Sequence, residues 1–102
     1  MISVKEGLGA RCALRVERLS GSGAIALTSP ERRIVDSARA LITGYDWAAA
    51  SWDSTRSELW TAFDSTLANL TAVGTYYVQL RGVIDGVRRG GEIRVDVVNW
   101  GP

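Results

Sequence analysis

Histidine is absent from the 102 residues. Without an imidazole the chain cannot build Ser-His-Asp or Cys-His catalysis, the usual zinc sites, or the ordinary proton shuttle near neutral pH. Cysteine occurs once, as Cys12, which excludes an intrachain disulfide and fits a reducing compartment. Lys5 is the sole lysine among twelve basic residues, so arginine carries nearly all the positive charge. Those twelve oppose eleven acidic residues, and a net charge of +1 sets up no long-range field; neither nucleic acid nor a membrane surface is expected as a partner. No run approaches the ~18 apolar residues that span a bilayer. The start, "MISVKEGLGARC", lacks the basic segment, apolar core and cleavage site of a signal peptide, so folding in a cytoplasm is expected. The glycines of "GLG", "GSG" and "RRGG" match no phosphate loop and read as turn residues. No cofactor is expected.

What the chain does have is a globular composition, 46% hydrophobic and 23% charged, over a length suited to one core. Residues 1–102 are read as a single domain. From Arg11 to Leu19, Cys12, Leu14 and Val16 alternate with Arg11, Arg15 and Glu17, the period of a half-buried strand. "SGSG" follows as a turn. "AIAL" ends at "TSPE", where Pro30 predicts an irregular loop around Ser29 and Pro30. "RRIVDSARALITGYDW" fits a helix as readily as strands; the reading adopted is two short strands with turns near Asp36-Ser37 and Thr43-Gly44. Trp52 and Trp60 fall near the ends of a hairpin around the polar turn Asp53 to Arg56, although "WAAA" also fits a helical turn. "GTYYVQLRGVI" alternates Tyr76, Val78 and Leu80 against Tyr77, Gln79 and Arg81. After "DGVRRGG", Ile93, Val95 and Val97 alternate in turn, which predicts a long hairpin with Arg88 and Arg89 at its tip. Strands at roughly ten-residue spacing suggest an antiparallel sandwich.

"LTAVGTYYV", residues 70 to 78, resembles the corner of an immunoglobulin domain, with Val78 where those domains carry cysteine. In such corners a tyrosine at the start of the sixth strand bonds through its hydroxyl to upstream backbone. Tyr76 takes that role, Gly74 permits the tight turn, Leu70 plugs the base of the core, and Val78 is the next inward residue. Without a disulfide the core must hold by packing, with about 1.5–3 kcal/mol from each large buried apolar side chain. Cys12 then reads as a small buried hydrophobe.

Asp46, Asp53, Glu58 and Asp64 lie close in sequence, and paired carboxylates can hydrolyse glycosides. Their spacing follows turns and strand exteriors, which suits solvated surface acids. The Asp53 turn lacks the carboxylate spacing of a calcium loop. Four tryptophans, Trp47, Trp52, Trp60 and Trp100, exceed the needs of one small core, and tryptophan is enriched where protein surfaces meet or sugars stack. Trp100 and Trp47 are the candidate interface aromatics, and Arg88, Arg89, Arg32 and Arg33 are candidate contact arginines.

"RIVDSARALITGYDWAAASWD" followed by "LTAVGTYYVQLRGVIDGVRRGGEIRVDVV" resembles the small immunoglobulin-like modules encoded in tailed-phage and prophage structural gene clusters, including β-sandwich domains of upper baseplate proteins. The resemblance covers residues 10 to 98 by pattern rather than by a signature motif. It implies an all-β, immunoglobulin-like antiparallel β-sandwich of about seven strands with no disulfide. It also implies a non-enzymatic virion structural protein of the tail, baseplate or neck, assembled in the host bacterial cytoplasm. The expected partners are other virion or tail proteins and further copies of the chain as a homo-oligomer. Three other readings stay open: a carbohydrate-binding module with coplanar tryptophans on one face, an enzyme using the carboxylates, and a host-encoded regulatory domain, for which the sequence offers no positive feature.

Overall fold

The computed structural model describes residues 2–5, 8–17 and 25–99. Eight strands follow in order: β1 Ile2–Lys5, β2 Gly9–Arg15, β3 Leu27–Asp36, β4 Ala48–Ala49, β5 Ser51–Asp53, β6 Glu58–Asp64, β7 Gly74–Ile84 and β8 Val87–Val98. They form a five-stranded sheet, β1-β8-β7-β3-β4, and a three-stranded sheet, β2-β6-β5. The chain is thus an all-β sandwich without a disulfide. Its second, sixth and fifth strands share one sheet while the third, seventh and eighth share the other, which is the immunoglobulin connectivity. Strand β4 extends the larger sheet at one edge. At the other edge β1 runs parallel to β8, the one departure from antiparallel pairing among the described strands; the whole sandwich serves as the crossover that a parallel pair requires.

Period-two alternation explains the core. Tyr76, Val78 and Leu80 on β7 turn inward beside Ile34 on β3 and Val95 and Val97 on β8. They meet Cys12 of β2 and Leu59 and Phe63 of β6, and the Phe63 and Tyr76 rings join the sheets with centroids 5.5 Å apart. Cys12 and Val78 are both fully buried. They occupy the strands that an inter-sheet disulfide bridges in antibody domains. Cys12 therefore keeps one half of that position, and Val78 fills the other with a branched hydrocarbon.

Three expectations need correction. The irregular loop expected at Ser29 and Pro30 is a fault inside a strand: β3 continues through it, and its register with β7 shifts between Thr28 and Glu31. Ser29 adopts φ 52° and Pro30 has no N–H to give the ladder. The Pro30 carbonyl instead accepts from Ala50 N at 2.9 Å. Arg88 and Arg89 are not at a hairpin tip but within β8, opposite Val83 and Gly82. The tip is Asp85-Gly86, with φ 52° and 77°. Positive φ at both central residues makes the tight turn whose twist matches its strands, so pairing runs up to it. The strand expected after Asp36-Ser37 reduces to a single bridge between Leu41 and Val35.

Candidate interface on the five-stranded sheet

The outer face of the larger sheet carries the residues between the inward ones: Glu31 and Arg33 on β3, Tyr77, Gln79 and Arg81 on β7, and Glu92 and Arg94 on β8. Their registers set complementary groups side by side. Arg81 Nε donates to Glu31 at 2.9 Å, and Arg33 donates through Nε and Nη2 to Gln79 Oε1 at 2.9 and 2.7 Å. Arg39, from the turn after β3, donates to Glu92 at 2.6 Å and lies 4.1 Å from the Tyr77 ring centroid. Nearer the corner, Asp96 accepts from Thr75 Oγ1 and Arg94 Nε; these two bonds, the Thr75 one foremost, hold its carboxyl below the usual range.

Trp47 reaches this face from the connection before β4. Asp46 Oδ1 accepts from Trp47 N at 2.7 Å, and β4 pairs with Glu31 and Arg32. The indole then lies across the sheet, with the Arg81 and Arg33 guanidinium carbons 3.7 and 4.7 Å from its ring centroid. Beside it is a shallow groove of about 360 Å³, lined by Trp47, Gln79, Arg81, Arg88, Arg89 and Glu92. The groove exists because Gly90 projects no side chain beside Arg81 on this face, while Gly91 faces inward toward Leu14. A Cβ on Gly90 would sit 2.3 Å from the Leu80 carbonyl oxygen, so this bare stretch is enforced by backbone contact. A second hollow of about 570 Å³ opens between the sheets at the same end and shares Arg89, Gly90 and Gly91 as a wall.

Three of the four candidate interface residues, Trp47, Arg88 and Arg89, thus line one groove. Trp100 lies outside the described residues. Arg88 and Arg89 are exposed and have no ion-pair partner among the described residues, whereas Arg81 pairs with Glu31 and Arg33 donates to Gln79. Of the remaining candidates, Arg33 belongs to the Trp47 clamp, whereas Arg32 donates to the Asp46 carbonyl and covers the Tyr45 ring. Sequence reasoning placed Tyr77, Gln79 and Arg81 on one face but missed the clamp, because strand register is not written in alternation.

The other tryptophans lie elsewhere. Trp52 packs against the core. Trp60 sits on the smaller sheet with the Arg11 guanidinium 4.5 Å from its centroid, and Arg11 pairs with Glu58 at 2.9 Å. The described tryptophans therefore form no coplanar platform. The acids flagged for catalysis are engaged locally: Asp53 accepts from Thr55 N and Arg56 N, and Asp64 accepts from Thr66, whose hydroxyl bond chiefly lowers its pKa.

At the corner, Tyr76 donates its hydroxyl to the Ala72 carbonyl at 2.8 Å, and desolvation raises its pKa. Leu70 is buried beneath it, and Gly74 has φ 153°. Cys12 is likewise desolvated, its thiol pushed up to about 11, which makes it a poor nucleophile. Among the described residues, no group of acids and cysteine is placed to hold a metal ion, and no helix is long and apolar enough to cross a membrane. No protein-family model matches the chain, and comparisons with curated proteins and with solved structures gave no match.

Proposed function

We infer that this immunoglobulin-like sandwich is a non-enzymatic assembly module of a phage or prophage particle, in its tail, baseplate or neck, and that it docks on neighbouring virion proteins through the Trp47 groove. The observation that carries the docking surface is the pairing of a pre-ordered indole with two uncommitted arginines. Trp47 is held by Arg33 and Arg81, so little side-chain freedom is lost on binding. Arg88 and Arg89 supply unspent donors for carboxylates or carbonyls of a partner, and tryptophan with arginine is the usual composition of an interface hot spot. The particle assignment rests on the sequence resemblance.

Two measurements test the reading. Portal, tail or baseplate genes beside this gene support the particle; an unrelated neighbourhood overturns it. When those neighbours are co-expressed with the chain, their products should co-purify with it. Trp47→Ala, or Arg88→Glu with Arg89→Glu, should abolish that association while leaving the fold intact. Association unchanged in both variants would remove the groove from the mechanism.

A further inference from the structure

Among the described residues, strand β2 has an unpaired edge of unusual length. It is seven residues long, whereas the other outermost strands β1, β4 and β5 have four, two and three. The larger sheet closes its edge beyond β4: Ile34 N donates to Tyr45 O, Asp36 N to Ala40 O, and Ile42 N to Ile34 O. Nothing among the described residues does this for β2.

The hydrogen-bond phase of β2 is fixed by its ends. Val16 N donates to Ser57 O at 2.8 Å and Ser65 N to Leu8 O at 3.0 Å. With the β2–β6 register, the even-numbered residues exchange main-chain bonds with β6. Gly9, Arg11, Ala13 and Arg15 therefore turn their N–H and C=O groups outward, a template for another strand.

We propose that a second copy of this chain occupies that edge, β2 against β2 antiparallel about a two-fold axis at Cys12, joining the two three-stranded sheets into one. The register follows from charge and length. Centring the axis on Cys12 sets Arg11 opposite Ala13 and Arg15 opposite Gly9, so every arginine faces a small residue and the whole strand pairs. Shifting the axis to Arg11 or to Ala13 sets arginine against arginine and shortens the ladder, and like charges directly opposite destabilise a strand pair. The charges are also already compensated within each copy, by Glu58 and Asp53 for Arg11 and by Glu17 for Arg15. Extending the register by one residue puts Leu8 across from Val16. Leu8 is 47% exposed in the single chain, and Val16 borders the hollow between the sheets, so the pairing covers apolar surface at both ends. The surface is on the opposite sheet from the Trp47 groove and does not depend on it.

Sedimentation velocity over a concentration series is the test. The wild-type chain should reach the mass of a dimer. Ala13→Pro removes a donor that β6 does not use, and Ala13→Arg sets a guanidinium opposite Arg11 of the second copy; both should return the mass to that of a monomer, with folded circular dichroism for at least Ala13→Arg. Trp47→Ala should leave the dimer intact. The register has its own readout: in a Cys12→Ala background under diamide, a mixture of Arg11→Cys and Ala13→Cys chains should form a covalent dimer that neither forms alone. A wild-type chain that stays monomeric, a dimer that survives Ala13→Arg, or a dimer that Trp47→Ala dissolves overturns the proposal.

Discussion

The two sheets of this sandwich share one core yet treat solvent differently. On the larger sheet the outer face is knitted by cross-strand contacts, Glu31 to Arg81, Arg33 to Gln79 and Arg39 to Glu92, and its β3 edge is capped by the following loop. The smaller sheet has Trp60 under Arg11 on its face and, among the described residues, leaves the seven-residue β2 open at the side. The difference teaches where each sheet can take a partner. A face with committed side chains and a closed edge offers only what is left over, the groove with Arg88 and Arg89. A sheet with an unpaired edge offers its backbone.

The comparison breaks most completely if the joint between the sheets is removed. Phe63 is fully buried and packs at a tilt against Tyr76, so Phe63→Ala should cost about 3–5 kcal/mol in denaturant unfolding. The transition should stay single; two transitions would mean that the sheets fold separately. The opposite experiment ties them. Val78→Cys in an oxidising buffer should bridge to Cys12 and raise stability by about 2–4 kcal/mol, seen as a mobility shift on a non-reducing gel with a higher denaturant midpoint. Two free thiols in the folded, oxidised variant would show that the strands do not face each other closely enough.

High pH should loosen the joint without any substitution. The Cys12 thiol, pushed from 9.0 up to about 11 by burial, binds its proton more tightly folded than unfolded. That stabilisation is whole below pH 9 and is lost as pH rises toward 11, worth about 2–3 kcal/mol. Tyr76 is shifted in the same direction by its desolvation, so Cys12→Ala should show a smaller but non-zero alkaline slope; an unchanged slope would clear the thiol of any part. The smallest effect belongs to the outer face. Glu31→Ala removes the partner of a partly exposed Arg81 and should cost less than about 1 kcal/mol. A larger loss on thermal unfolding would mean that the contacts across β3, β7 and β8 act as one network.

Local patterns carried much of the architecture. The alternation of Tyr76, Val78 and Leu80 and the Gly74-x-Tyr76 corner are properties of adjacent residues, and they point inward whatever lies across from them. Pro30 shows the limit of such reading. It signals irregularity truthfully, but a bulge absorbs it, because the Leu27 and Ile34 sides of the strand both gain from burial against β7. Asp85-Gly86 likewise carried its own turn; the arginines after it distracted from a signal that was already complete.

By itself, then, the sequence determined that this protein is a β-sandwich held without oxidation: it has one cysteine, and its apolar residues recur at a period of two. Only the tertiary structure decided which side chains meet. Trp47 lies far from Arg81, Arg88 and Arg89 along the chain, and strand order and register bring them together; Cys12 lies far from Val78, and the packing of the two sheets places both in one core. Those pairings come from many weak contacts summed over two sheets, and no short stretch of residues encodes them.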